Sequence, residues 1–458
     1  MRSQNHPVIG PVWLEGLSWL LLVASCGFVL FSLLVYGLGG PVSELGFIHP
    51  MRMKPPFADL RYLIANSECG VNLDAYYKGL VVGCDPSGRT YRFDYPPMSI
   101  WLGRLLRVRG AQTPWIAITT ALALVASTIG LTRDRLVPPW TWRLLASALL
   151  MSFPLLQALE RGNLDVMLFL LVLLLAFLLS RLRTTALAAL PANLLASLLT
   201  FLSVSLKIYP LFGIAGLVAY RDRDRQAASK TRWQAPATKA MVLAAAVAGI
   251  FPLLSYLQSV GNLIKEGGVG SHGLLAFGYM NIPLVNAYGI DTARLLIRLL
   301  FVTKAAALLI GFVMAYKVDL SCLRGGFDSL ARRLSGFHGM AMMMGASTWM
   351  GCYLFTINYD YRFLYLTPFL AYLSALASSD QRTPLQRAWP RGLILMSLFV
   401  FLYPWLQFGY TAWGMKAVKM LEPLTEFVFI PLIAGSLFYF LFTNTWLAPR
   451  PKPLLIKG

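Results

Sequence analysis

The sequence predicts an all-α polytopic membrane protein, and three observations carry that prediction. The mean hydropathy of the 458-residue chain is +0.61. Only 13% of its residues are charged while 57% are hydrophobic, a balance foreign to soluble domains. Many apolar runs reach the ~20 residues that an α-helix needs to cross the hydrocarbon of a bilayer. A closed barrel would instead show short alternating strands.

The elements follow in order, within one integral membrane domain covering 1–458. The first apolar run, Leu14–Leu38, is too long for a signal-peptide core and ends in no small-residue cleavage site. Val23-Ala24-Ser25-Cys26 resembles a lipoprotein box, but the apolar run continues past Cys26, so the segment reads as an uncleaved anchor. A polar loop, 39–97, follows it. Apolar runs then cover Ala111–Leu131 and Trp142–Leu159. After a tight turn at Glu160-Arg161-Gly162-Asn163 come Asp165–Leu182, Thr185–Leu206 and the short Ile208–Tyr220. Ala240–Tyr256 leads to a second polar loop, 257–291, whose glycines suit a lid or a plain connector. The last runs are Ala293–Tyr316, Gly339–Ile357, Phe363–Ser378, Gly392–Phe408 and Phe427–Leu447. Together they predict about twelve spans with both termini on one side.

Charge distribution orients these spans. The formal charge of +20 would suit a nucleic-acid partner if it formed one patch, but the basic residues fall in alternate short loops. Arg133 and Arg135, Arg181 and Arg183, the dense set Arg221, Arg223, Arg225, Lys230 and Arg232, then Arg324, Arg332 and Arg333, Arg382, Arg387 and Arg391, and Arg450, Lys452 and Lys457 make up the pattern. That is the positive-inside signature of a multi-pass protein of the cytoplasmic membrane. It puts both termini in the cytoplasm and excludes a nucleic-acid partner as the reason for the charge. The 39–97 loop balances six basic against six acidic residues and is predicted to be extracytoplasmic. Cys69 and Cys84 lie in it, where oxidation is permitted, and are a candidate disulfide or two free thiols.

The same side collects the polar residues of the span ends: Glu160, Arg161, Asn163 and Asp165; Lys207 with Tyr209; Asn358, Asp360 and Arg362. Ionisable residues at membrane depth usually face a cavity, so one extracytoplasmic site is expected. Each motif has a plain structural reading as well. Asp59, a carboxylate suited to take a proton from a sugar hydroxyl, also reads as a solvated loop residue. Asp94 is placed to cap the segment Met98–Val108. Gly162-Asn163 suits a turn, Lys207 a snorkelling helix end, and Asn358–Arg362 an aromatic belt. The histidines are scattered, and no metal site is expected.

Taken together, Asp59, Tyr95-Pro96-Pro97, Gly162-Asn163-x-Asp165, Lys207-x-Tyr209-Pro210 and Asp360-Tyr361-Arg362 resemble the family 87 glycosyltransferases. These are membrane enzymes of the GT-C class, often mannosyltransferases. The matching points run from Asp59 to Arg362, most of the chain. The resemblance implies a GT-C-like bundle whose long first loop contains short juxtamembrane helices. It implies a polyprenyl-phosphate sugar as donor, no cofactor, and a cell-envelope glycan or glycolipid as acceptor, with membrane lipids around the protein. Asp59 matches the family's catalytic aspartate. The expected donor-phosphate ligands are Arg362, Lys207, Arg161 and Arg61. The expected substrate-orienting residues are Tyr95, Asp94, Asn163, Asp165, Tyr209 and Asn358. The two loop cysteines and the run Cys84 to Arg89 depart from the family's general pattern, which leaves sugar and acceptor open, and the oligomeric state is unknown. A polyprenyl-linked saccharide transporter or a non-catalytic subunit of a glycan assembly system are the other functions such a chain would fit.

Overall fold

A computed structural model describes residues 11–37, 57–69, 96–133, 137–181, 186–219, 236–267, 276–277, 294–320, 336–355, 358–378, 382–405 and 420–444. These residues are helical apart from one two-residue ladder. The helices are α1 Val12–Gly37, α2 Ala58–Glu68, α3 Pro97–Leu105, α4 Thr113–Thr132, α5 Pro139–Leu150, α6 Phe153–Arg161, α7 Leu164–Arg181 and α8 Ala186–Leu206. After them come α9 Pro210–Ala219, α10 Pro236–Gly267, α11 Arg294–Lys317, α12 Phe337–Phe355, α13 Thr367–Ala377, α14 Pro384–Leu402 and α15 Ile430–Thr443. A 3₁₀ segment, Asp360–Leu366, leads into α13, and a π-helical turn, Thr425–Phe429, leads into α15.

Among the described residues, five helices are long and apolar enough to cross a membrane: Val12–Val35, Gly110–Thr132, Ala237–Leu254, Arg298–Lys317 and Met420–Thr443. The pair α5 and α6 makes a sixth if counted as one bent span. Four more helical stretches are apolar but shorter, at Leu164–Ser180, Leu190–Leu206, Pro210–Ala219 and Arg362–Ala377.

Local sequence sets many of the helix starts. Prolines occupy the first turn of α3, α4, α5, α6, α13 and α14, where the missing N–H costs nothing. Thr383 and Gln386 add a reciprocal capping box to α14. The Trp142–Leu159 run, expected as one span, is broken at Met151-Ser152 and bends by 47°. Pro154 withholds the N–H that a continuous helix would need there. The Met151 carbonyl at the break accepts Trp405 Nε1–H at 2.9 Å, and Phe153 meets the Trp405 ring edge-on at 5.9 Å.

Two sequence boundaries shift. The helix over 236–267 runs ten residues beyond Leu257, where the second loop was expected to begin. Leu253, Leu257, Val260 and Ile264 continue a helical spacing through that stretch. Pro96, rather than Asp94, is the N-cap of α3, with no side-chain cap. Asp94 itself lies outside the described residues, as do Tyr95 and Cys84.

The core lies where α7, α9, α12 and α13 meet. Met340, Met342, Met343, Met344 and Trp349 on α12 are all buried, and glycines bring the helices close. A Cβ at Gly345 would meet the Tyr365 carbonyl, and one at Gly435 the Leu308 carbonyl. Ser436 Oγ donates to the Gly311 carbonyl at 3.0 Å across α11 and α15. Small residues and interhelical hydrogen bonds are how apolar helices associate when lipid removes the hydrophobic drive.

Candidate active site

The site is assembled where α2, the α6–α7 turn, the α8–α9 turn and the 3₁₀ segment come together. Two left-handed residues make this approach. Gly162 ends α6 with φ +62° and ψ +40°, and Phe57 opens α2 with φ +56° and ψ +43°. The Phe57 N–H donates to the Glu160 carbonyl at 3.1 Å. A Cβ on Gly162 would stand 2.9 Å from Leu60 Cβ and 3.1 Å from Phe57 Cβ. Glycine is therefore required twice over, by its φ and by the missing side chain.

That contact places Asp59, in the first turn of α2, against the end of α6. Arg161 Nε donates to Asp59 Oδ2 at 2.8 Å and Arg161 Nη2 to Oδ1 at 3.1 Å, a planar two-point grip. Asn163 Nδ2 donates to the same Oδ2 at 2.8 Å. Its other amide atom, Oδ1, accepts the backbone N–H of Asp165 at 2.9 Å.

Asp165, fully buried at the start of α7, holds two cations. Lys207 Nζ donates to Oδ1 at 2.7 Å and Arg362 Nε to Oδ2 at 3.1 Å. Among the described residues, this half of the site therefore gathers two cations on one carboxylate. Tyr209 lies beneath both: its ring centre is 4.7 Å from the Arg362 guanidinium carbon and 5.7 Å from Lys207 Nζ. Tyr209 packs edge-on to Tyr365 at 6.0 Å, and Tyr365 packs on Phe169, one turn down α7 from Asp165. The hydroxyls of Tyr209 and Tyr365 are buried with no hydrogen-bond partner among the described residues.

Of the residues expected at the site, Asp59, Arg161, Asn163, Asp165, Lys207, Tyr209 and Arg362 thus form one chain of contacts. Arg61 does not join it. Two positions after Asp59 it points about 200° round the helix, and its Nε is buried without a partner among the described residues. Asn358 belongs to a short strand, β2 (Asn358–Tyr359), antiparallel to β1 (Ala276–Phe277), with Phe277 opposite Asn358. The ladder ties the second polar loop to the segment carrying Arg362. Cys69 is disulfide-bonded at the C-cap of α2; its expected partner lies outside the described residues. No group of three or more His, Cys, Asp or Glu is spaced to hold a metal ion among the described residues.

Two buried ion pairs escaped the sequence. Arg143 of α5 bonds Glu15 and Ser18 of α1 and stacks its guanidinium 4.2 Å from the Trp19 ring centre. This pair sits at the opposite end of the bent α5–α6 span from Arg161. Lys304 of α11, fully buried, faces Glu426 of the π-turn at 3.7 Å and lies 5.1 Å from the Phe427 ring centre. These two pairs lie apart from the cluster formed by the polar span ends. The available signal was Glu15, Arg143 and Lys304 inside apolar runs and Glu426 at the edge of another, and a charge in such a run implies a partner on a neighbouring helix. No family model matches the sequence, and no curated protein or solved structure does.

Proposed function

We propose that the protein is a GT-C-type glycosyltransferase that moves a sugar from a polyprenyl-phosphate donor to a glycan or glycolipid hydroxyl at the outer face of a cytoplasmic membrane. The observation that carries this reading is the division of the site into two unlike halves joined side by side. The Asp165 half brings the donors of Lys207 and Arg362 together on one carboxylate, a cluster of cationic groups suited to a phosphodiester. The Asp59 half presents a carboxylate that is gripped and oriented but not filled.

In this reading Lys207 and Arg362 bind the donor phosphate. They also stabilise the negative charge that grows on it as the glycosidic C–O bond breaks, already in place before the reaction begins. Asp59 takes the proton of the acceptor hydroxyl while that oxygen attacks the anomeric carbon in line. The new bond forms opposite the leaving phosphate, so the anomeric configuration inverts. Tyr209, under both cations, keeps them from swinging apart. The five long apolar helices, the bent pair and the four shorter apolar stretches support a bundle of about twelve spans if α12 and α14 are counted with them. Under that count the site falls at the extracytoplasmic end.

The test is transfer of labelled sugar from a polyprenyl-phosphate donor by the purified protein in detergent. Asp59→Asn should lower turnover on the order of 10²–10⁴-fold, the usual worth of a general base, with donor binding retained. Near-normal turnover would remove Asp59 from the role. The buried Lys304–Glu426 pair within the helical bundle is the feature that favours a saccharide-lipid transporter, since such proteins place ionisable residues deep in the membrane. Net flipping of the lipid in liposomes without sugar transfer would select that alternative.

A further inference from the structure

Among the described residues, Asn163 is bonded to both halves of the site, and its orientation is forced. The Asp165 backbone N–H can only donate, so the amide atom 2.9 Å from it is the oxygen. The nitrogen must then face Asp59, where it sits 2.8 Å from Oδ2. Exchanging the two amide atoms would set N–H against N–H on one side and oxygen against oxygen on the other.

This decides how Asp59 is used. Each carboxylate oxygen has room for two hydrogen bonds. Oδ2 receives Arg161 Nε and Asn163 Nδ2 and is full, whereas Oδ1 receives Arg161 Nη2 alone. Among the described residues, the open acceptor position on Asp59 is therefore on Oδ1. Asn163 spends one hydrogen bond on each half and is only 2% exposed, which leaves it little access to a sugar.

We infer that Asn163 is a positioning residue: it closes Oδ2, so that Asp59 accepts the proton through Oδ1, and it fixes that carboxylate relative to the Lys207–Arg362 centre. The inference rests on the transferase reading, and it replaces the expectation that Asn163 orients substrate directly. The contact census supports no comparable role for Arg61, which shares α2 with Asp59 but not its face.

The experiment uses the full-length protein in detergent with a polyprenyl-phosphate sugar, following both turnover and thermal unfolding. Asn163→Ala should lower kcat about a hundredfold, the cost of a misplaced reacting group, while KM for the donor stays within about twofold. A rise in KM with kcat preserved would make Asn163 a substrate ligand and overturn the inference. Asn163→Asp should lower the unfolding temperature by setting two carboxylates against each other. Adding Asp59→Asn to it removes the charge conflict and pairs amide with carboxylate in reverse, at the cost of the acceptor of Arg161 Nε, so the double variant should regain part of the lost stability but not turnover. If stability is not regained, the pairing is wrong. If the wild-type protein transfers no sugar while the swap still restores stability, the transferase reading fails and the Asn163–Asp59 pairing stands.

Discussion

Asp59 and Arg161 are 102 positions apart in sequence, yet two parallel hydrogen bonds of 2.8 and 3.1 Å join them. Neither helix brings this about through its side chains. The backbone does it, because left-handed Phe57 and Gly162 let the start of α2 rest on the end of α6. The geometry of the proposed base thus depends on a residue with no functional group at all.

Gly162→Ala should accordingly damage both stability and activity. A left-handed conformation costs a residue with a Cβ about 1–2 kcal/mol, and the new methyl would also displace Leu60 and Phe57. Gly130→Ala is the matched control: a Cβ there meets nothing within 4 Å, in the last turn of α4. That variant should gain about 0.5–1 kcal/mol from helix propensity. Chemical unfolding of the two variants in micelles tests the contrast. Equal effects at the two positions would mean that the α2–α6 contact does not govern this region.

The Asp165 centre makes a prediction of unequal costs. Lys207→Ala or Arg362→Ala leaves the other cation on Asp165. Asp165→Ala removes the carboxylate that both cations share, and breaking a buried pair in this way costs about 3–5 kcal/mol. Asp165→Ala should therefore unfold at the lowest temperature of the three. Turnover should fall in all three variants, while Lys317→Ala, an exposed residue at the far end of α11, keeps wild-type values. A stability order with Asp165→Ala at the top would contradict the geometry.

Lys304 and Glu426 give the third prediction. Lys304→Met removes the cation that faces the buried Glu426 and should cost about 3–5 kcal/mol. Adding Glu426→Gln removes the second charge, and most of that loss should return. Because both groups are buried, raising the salt concentration should change neither result. A double variant as unstable as the single would show that Lys304 is held by something other than this pair.

How much of this was legible in the sequence differs from residue to residue. The polar span ends stood out because each interrupts an apolar run, and the structure brings Asp59, Arg161, Asn163, Asp165, Lys207 and Arg362 into one network. Their pairing was hidden. Asp165 reads like any helix-opening acid, and nothing local announces that it is fully buried with two cations on it. Arg61 shows the opposite failure. It is close to Asp59 in sequence, but the helical period turns it away. The long reach of the 236–267 helix was legible in its apolar spacing and was obscured by its polar composition. The break at Met151-Ser152 was marked by Pro154, although hydropathy alone ran straight across it.

The separations along the chain impose an order on how the Asp165 cluster comes into being. Lys207 follows Asp165 by 42 residues, and Arg362 follows it by 197. As the polypeptide emerges, Asp165 and Lys207 are available to each other long before Arg362 has been made. The acid can therefore enter the growing bundle as half of a neutral couple, avoiding the cost of a stranded charge. Arg362 then arrives on the 3₁₀ segment, adds a second cation to the couple, and anchors the later third of the chain to the earlier part. The three-residue cluster is a product of assembly, and it exists only once the last of its members is in place.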